Sequence, residues 1–333
     1  MSASRPWALL SACPAYEVSP LIDAPKLAQD LGVSGLWLKD ETSRMRLGSF
    51  KALGGAFAVV QMILDRAGGV DPMTPATRAI AQQMTFITAS AGNHGLSIAA
   101  GAQVFSAHAK IVLSTGVPEG FANRIRKTGA EVIRIAGSYE DSVAEAARLA
   151  AQNDWIHLAD GSWEGYTAPP ALVMEGYTVL AEECRLAFAA AGRWPSHVVL
   201  QAGVGGLAAA TAAHIRAFWP EQPTIIVVEP DAAPCLMESI RAGQLVHTPG
   251  PVSNMGRLDC KDASLLAFDA LRHDADTFVT ISDAQAVAAA SDLSATGMAT
   301  TPSGAAGLAA LRTLDLGPAA SCLIIVSEGP EGD

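Results

Sequence analysis

Short apolar runs recur along this chain, and between them lie longer stretches whose polar residues keep to one side. The runs Met84–Ser90, Lys110–Ser114, Glu131–Ile135, Trp155–Asp160, His197–Gln201, Thr224–Glu229, Phe278–Ile281 and Cys322–Ser327 are rich in Ile and Val. Their length and hydrophobicity predict strands covered on both faces. The segments Pro118–Lys127, Ser138–Gln152, Pro170–Ala190, Leu207–Phe218, Pro234–Ala242, Asp283–Thr296 and Gly304–Leu314 have helical spacing. Alternation on this scale means βαβ units and mainly parallel sheets flanked by helices, an α/β fold. Ligands in such folds bind beyond the carboxyl ends of strands, which directs attention to the segments that follow them.

Composition narrows the class. The 333 residues are 50% hydrophobic and 17% charged, enough to bury a large core and to exclude wholesale disorder. At roughly 100–200 residues per domain, the length predicts about two domains. Lys and Arg number 22 against 33 Asp and Glu, a formal net charge of −11. That balance argues against nucleic acid or an anionic membrane as partner, while a local basic pocket for a small anion stays open. Cys13, Cys184, Cys235, Cys260 and Cys322 are odd in number and have no metal-ligand or redox spacing. No metal site is expected, and reduced thiols in a cytoplasmic protein are the simplest reading. The run MSASRPWALLSACPAYEVSP lacks the basic region and long apolar run of a signal peptide. No apolar stretch reaches the roughly 20 residues needed to span a membrane. No internal repeat or low-complexity linker is visible, and Gly68-Gly69-Val70-Asp71-Pro72 reads as a surface loop.

Three loops carry candidate chemistry. In Leu47-Gly48-Ser49-Phe50-Lys51-Ala52-Leu53-Gly54-Gly55, a Gly-Ser turn opens a small-residue helix with a lysine in its first turn. Such a lysine is usually solvated. Apolar neighbours, however, lower a lysine pKa by desolvation, and a neutral amine can form an imine. In Thr88-Ala89-Ser90-Ala91-Gly92-Asn93-His94-Gly95, which follows a strand and opens a helix, amides with the Ser and Asn side chains can hold an anion. The plain alternative is a capped turn with His94 as a loop histidine. In Gln201-Ala202-Gly203-Val204-Gly205-Gly206-Leu207-Ala208, glycines let the backbone approach a phosphate at a helix N-terminus. This loop also fits G-x-G-x-x-A, and Glu229 ends the next strand, so a nicotinamide-dinucleotide oxidoreductase is a competing reading.

The order and spacing of the three loops resemble the fold-type-II pyridoxal-phosphate enzymes, the superfamily of threonine dehydratase and the tryptophan synthase β chain. Leu38-Lys39-Asp40-Glu41-Thr42-Ser43, Gly129-Ala130-Glu131-Val132 and Val326-Ser327-Glu328-Gly329 extend the match from about Pro20 to Gly329. Within that superfamily the chain is most similar to the diaminopropionate ammonia-lyases, through Asp160-Gly161-Ser162-Trp163-Glu164-Gly165-Tyr166 and Met174-Glu175-Gly176-Tyr177-Thr178. Met255-Gly256-Arg257-Leu258-Asp259-Cys260-Lys261 matches more loosely.

The resemblance implies specific roles. Lys51 would carry pyridoxal 5'-phosphate covalently and afterwards move protons. Gly203, Val204, Gly205, Gly206 and Leu207 would cradle the phosphate, and Asn93 would face the ring hydroxyl. Ser90, Ala91, Asn93 and His94 would receive the substrate carboxylate. Ser327 would face the pyridine nitrogen, where a neutral hydroxyl suits β-elimination better than transamination. Asp160 would be the specialised acid or base; its plain alternative is an Asx turn. Trp163, Glu164 and Tyr166 would shape the pocket, with core packing the alternative for the two aromatics. Ala91 stands where diaminopropionate lyases have a second aspartate, which weakens any action on D-substrates. The same loop reads Ser-Ala-Gly-Asn-His in hydroxyamino-acid dehydratases, and Thr301 stands where those enzymes often have Glu. The cysteines, Cys260 included, read as packed thiols.

The expected architecture is two α/β domains with the cofactor between them. A large cofactor domain takes residues 1–49 and 159–333, and a small mobile substrate domain takes 50–158. The expected activity is α,β-elimination of ammonia from a small amino acid, 2,3-diaminopropionate first, with a serine-, threonine- or hydroxyaspartate-type dehydratase as alternative. Relatives are commonly dimers, so a homodimer is expected by analogy.

Overall fold

The runs of Ile and Val assemble into two separate sheets in the computed structural model, which describes residues 1–69, 71–90 and 92–330. The strands are β1 (Leu21–Asp23), β2 (Gly35–Asp40), β3 (Thr85–Ala89), β4 (His108–Ser114), β5 (Glu131–Ile135), β6 (Ile156–His157), β7 (His197–Gln201), β8 (Thr224–Pro230), β9 (Thr277–Ile281) and β10 (Ser321–Val326). One sheet has the order β1-β2-β10-β7-β8-β9, the other β5-β4-β3-β6. Among the described strands, only the β1–β2 pair is antiparallel. β10 lies between β2 and β7, with Ile324 opposite both Leu38 and Val199. The helices are α1 (Ser4–Leu10), α2 (Pro25–Leu31), α3 (Lys51–Arg66), α4 (Pro75–Ala81), α5 (Asn93–Phe105), α6 (Glu119–Arg126), α7 (Tyr139–Asn153), α8 (Ala168–Ala191), α9 (Gly206–Phe218), α10 (Cys235–Ala242), α11 (Leu265–Asp274), α12 (Asp283–Ala295) and α13 (Ala306–Leu311). Among the described residues no helix is long and apolar enough to cross a membrane. Val70, in the expected surface loop, lies outside the described residues.

The central strands β7, β8 and β10 are buried almost throughout, while β5 and β9 are half-buried at the sheet edges. That matches the rule for parallel strands with helices on both faces. The expected strand Trp155–Asp160 contracts to two paired residues, and the reason is local. The Tyr166 hydroxyl donates to the His157 carbonyl at 2.8 Å and accepts from the Ala159 N–H at 3.0 Å. A side chain thus takes the backbone groups that a longer ladder would need, and the chain turns off the sheet just before Asp160. β1, β2, α1, α2, α4 and α11 fall outside the elements expected from the pattern. β2 escapes because Lys39 and Asp40 interrupt its apolar run, although Lys39 is only 1% exposed.

Helix α3 packs on α5 and α8 at very short range. A Cβ on Gly54 would lie 2.3 Å from the Tyr177 ring, and one on Gly176 would lie 2.6 Å from the Leu53 carbonyl oxygen. Only glycine at these two positions allows α3 and α8 to approach so closely. One apolar cluster runs from Leu53, Phe57 and Ile63 through Val173 and Leu180 to Val198 and Ile325, joining the helices of one sheet to the core of the other.

Four charges are sealed under the chain that leads to α3. Arg44 donates to both oxygens of Glu41 at 2.7 Å and to both oxygens of Glu183 at 2.8 and 2.7 Å. Lys39 donates to Glu183 at 2.5 Å and to the Ser19 carbonyl at 2.7 Å. Two cations and two carboxylates compensate one another, and Ser19 and Tyr16 hydroxyls complete the set. Such a network adds little net stability over an apolar core, but removing one member strands a buried charge.

Candidate active site

The segments after β3, β6, β7 and β10 converge on the start of α3 around a cavity of about 470 Å³. Lys51, Ser90, Asn93, His94, Asp160, Gly203, Val204, Gly205, Gly206, Leu207 and Ser327 all line it. Ala91, the remaining expected site residue, lies outside the described residues. Further wall comes from Tyr177 and from residues 252–253 and 256–261.

Lys51 is the first residue of α3, and its ammonium is ion-paired with the Asp160 carboxylate. The two side chains are 20% and 19% exposed, so the pair faces the cavity rather than bulk water. The expectation of a lysine lowered by apolar surroundings is corrected here. Burial does pull Lys51 down, but the Asp160 carboxylate outweighs it and holds the amine above its ordinary value. Burial likewise pushes Asp160 up, and the Lys51 cation reverses it, holding the carboxyl well below the usual carboxylate range. Phe50 packs edge-on against Tyr177 with centroids 4.9 Å apart, walling the amine on one side.

The asparagine loop is held from within. Ser90 is 6% exposed, and its hydroxyl accepts from the Gly92 N–H at 3.1 Å, which is turn-capping geometry. His94 is 4% exposed, and its Nε2 lies 2.9 Å from the Leu158 carbonyl. A carbonyl only accepts, so that nitrogen carries the proton, and burial lowers the His94 pKa toward the neutral form. The Asn93 amide nitrogen donates to Glu328 at 2.5 Å. Ser327, 4% exposed, fixes the lysine loop through its carbonyl, which accepts the Phe50 N–H at 3.1 Å.

Trp163 and Tyr166 are stacked 4.3 Å apart, but neither they nor Glu164 line the cavity. Trp163 is 42% exposed. This pair shapes the site indirectly, through the Tyr166 hydroxyl that sets the turn into Asp160. Cys260 lines the cavity as a packed thiol, pushed up to about 12 by burial. Among the described residues no cluster of His, Cys, Asp and Glu is arranged to hold a metal.

Glu328 and Arg257 are wall residues that sequence reasoning did not single out. Glu328 lies two residues past the carboxyl end of β10, and that position is the signal that points to it. Its Oε1 accepts from the Thr301 hydroxyl at 2.6 Å, and Arg257 Nε lies 3.7 Å from its Oε2. Arg257 sits in an irregular loop with no periodicity to reveal it.

The dinucleotide reading fails on Glu229. That residue is fully buried, and its two oxygens accept the Leu236 and Met237 N–H groups at 2.8 Å each, which caps α10. Burial pushes its pKa up to about 7. A carboxylate committed to these amides cannot bind a ribose.

The site does fit a phosphorylated aldehyde. Helix α9 begins without a side-chain cap and without an acid in its first turn, so its leading amides keep their donors for an external anion. Gly205 has φ +100°, and a Cβ there would lie 2.7 Å from Leu236 Cδ1 and 2.8 Å from Ala267 Cβ. At Gly205 the loop therefore presents backbone alone. Gly161 and Gly206 place the Asp160 segment directly against this loop, so the phosphate cradle and the lysine share one cavity. His94 Nδ1 and the Tyr177 hydroxyl, both buried, have no partner among the described residues.

Two α/β sheets, a lysine at a helix start and an uncapped glycine cradle define a fold-type-II pyridoxal-phosphate enzyme. Residues 13–328 match the family described as "Pyridoxal-phosphate dependent enzyme", and the chain belongs to that family. It is 34% identical over 277 residues to diaminopropionate ammonia-lyase of Escherichia coli (strain K12), covering 81% of this chain and 69% of that protein. It is 30% identical over 251 residues to a probable D-serine dehydratase of Acidovorax sp. (strain JS42), covering 69% of this chain and 54% of that protein. A solved structure of diaminopropionate ammonia lyase from Escherichia coli in complex with D-serine superposes with a TM-score of 0.86 at 29% identity, covering 98% of this chain and 88% of that one. A fungal L-serine ammonia-lyase from Rhizomucor miehei shares the fold at a TM-score of 0.79 and 22% identity, covering 95% of this chain and 95% of that one. The protein is a pyridoxal-phosphate dependent lyase of the ammonia-lyase and dehydratase type, acting on small amino acids.

Proposed function

We propose that this lyase eliminates ammonia from 2,3-diaminopropionate, yielding pyruvate and a second ammonia after hydrolysis. Bound pyridoxal phosphate supplies an electron sink that acidifies the substrate Cα–H. The glycine cradle Gly203–Leu207 would hold its phosphate, Lys51 would anchor it, Asn93 would meet its ring hydroxyl, and Ser327 would face its ring nitrogen. Ser90, Ala91, Asn93 and His94 hold the substrate carboxylate. Lys51 would take the α-proton, with Asp160 as the alternative base beside it.

The observation that carries the choice of substrate is the Lys51–Asp160 pair. Asp160 is an anion matched to a cation. With Lys51 serving as the cofactor's anchor, the β-ammonium of diaminopropionate would take its place beside Asp160. An ammonium leaves with its own proton, so the reaction needs a base and an anion but no acid at Cβ. A hydroxyl leaving group brings no cation to Asp160 and needs a proton donor at Cβ. Residues 50–158 are taken as the unit that closes over the substrate, and the active species as a homodimer. Light scattering of the holoenzyme tests the dimer.

A screen of 2,3-diaminopropionate, serine, threonine and hydroxyaspartate isomers for released ammonia and 2-oxo acid tests the assignment. The expected result is the highest kcat/KM on L-2,3-diaminopropionate. A higher value on any hydroxyamino acid overturns it in favour of a dehydratase.

A further inference from the structure

We propose that Glu328 is a positioning residue that orients the Asn93 amide toward the cofactor and supplies the negative charge on that side of the cavity. The inference rests on the reading that Asn93 faces the cofactor ring. Glu328 is 4% exposed, and contacts fix it from several sides. Its Oε1 accepts from Thr301 at 2.6 Å, and its Oε2 accepts from Asn93 at 2.5 Å, with the Arg257 guanidinium Nε 3.7 Å from that same oxygen as the cation facing it. Its carbonyl accepts from the Thr300 hydroxyl at 2.5 Å. Its backbone bridges Ser49, two residues before Lys51, and the next residue, Gly329, donates to the Gly48 carbonyl at 2.9 Å.

The chemistry of the pair sets the orientation. A carboxylate oxygen only accepts, so the atom of Asn93 that faces it is the amide nitrogen and not the oxygen. One N–H is then committed to Glu328, and the planar amide has its second N–H and its Oδ1 fixed by that commitment. Without Glu328 the Asn93 amide is free to turn over, because oxygen and nitrogen fill the same space. A carboxylate beside this amide also favours the protonated form of any group that Asn93 touches. Thr301 contributes a hydroxyl where a second carboxylate would repel Glu328, so the cavity wall carries its acid at position 328 with a neutral donor beneath it.

The test uses holoenzyme variants Glu328→Gln, Thr301→Val, Asn93→Ala and the double variant Asn93→Ala/Glu328→Gln. The readouts are the pH midpoint of the cofactor's visible absorbance, cofactor affinity by reconstitution of the apoprotein, and thermal unfolding of the apoprotein. E328Q is expected to move the absorbance midpoint down by about one pH unit, the low side of what a neighbouring charge does. Cofactor affinity is expected to fall about tenfold, the effect of one charge-assisted hydrogen bond. In the N93A background the same change is expected to have almost no effect on affinity, since groups that act through one another are non-additive. Should E328Q fold poorly, T301V, which removes the hydroxyl donor to Glu328 along with the acceptor of the Gly304 N–H, carries the test through a smaller midpoint shift of the same sign. Wild-type midpoints in E328Q, or in T301V where E328Q is lost, overturn the proposal, as do additive losses in the double variant. A wild-type protein that binds no pyridoxal phosphate overturns the reading of the site itself, a result distinct from any of these.

Discussion

Replacing Asp160 by Asn isolates what holds the proton on Lys51. In the intact pair, burial and the carboxylate act on the lysine in opposite directions, and the carboxylate wins. The substitution keeps the shape and removes the charge, so burial acts unopposed. Breaking a wholly buried pair costs about 3–5 kcal/mol, and an exposed pair is worth at most about 1 kcal/mol. Side chains 20% and 19% exposed lie between, and nearer the buried limit, at about 2–3 kcal/mol. At about 1.4 kcal/mol per unit, that lowers the Lys51 pKa by about 1.5–2 units. The rate of cofactor uptake by the apoprotein reports this directly, because only the neutral amine attacks the aldehyde. The uptake profile is expected to move to lower pH by that amount. Stability follows with a definite sign. In the wild-type apoprotein the raised Lys51 contributes fully below the ordinary lysine pKa and loses its contribution as pH rises through the folded value. The depressed Asp160 contributes above the ordinary carboxyl pKa and loses its contribution only as pH falls through its own folded value. The pair is therefore silent across neutral pH. In Asp160→Asn the raising influence of the carboxylate is lost, so the stability that Lys51 contributes at neutral pH shrinks. Turnover of L-2,3-diaminopropionate falls at least about tenfold, a floor set beneath the usual acid–base contribution of about a hundredfold or more. An uptake profile unchanged in pH refutes the claim that Asp160 governs the lysine.

Lys51→Ala abolishes turnover and leaves no cofactor attached after borohydride treatment, with the circular dichroism spectrum unchanged; residual covalent cofactor moves the anchor elsewhere. Tyr166→Phe removes the hydroxyl that serves both His157 and Ala159. It is expected to cost about 1–3 kcal/mol in urea unfolding and to lower kcat more than KM, because the turn into Asp160 loosens. Glu183→Gln strips a charge from the sealed cluster with Lys39 and Arg44. A loss of about 3–5 kcal/mol is expected by denaturant titration, and a loss below about 1 kcal/mol refutes the picture of mutual compensation.

What was legible in the sequence is what simple periodicity and turn chemistry encode. Strands covered on both faces leave unbroken apolar runs, so β3, β4, β5, β7, β8, β9 and β10 were readable within a residue or two. Loops that need glycine, such as Gly203–Gly206, show it in the sequence. The parts that were not legible depend on partners far along the chain. β2 hides because Lys39 looks like a solvent residue until Glu183, in a distant helix, neutralises it. β6 was read too long because the residue that ends it, Tyr166, lies beyond it and acts through a single hydroxyl. Glu229 looked like a ribose ligand because motif spacing cannot show that two amides of α10 already occupy its carboxylate. The lysine is the sharpest case. Its apolar neighbours are adjacent in sequence and foretold a lowered pKa, whereas its anion is 109 positions away and reverses the sign. The same logic bears on function. Local sequence singled out Lys51 and Asp160 one by one, and only the fold shows them paired.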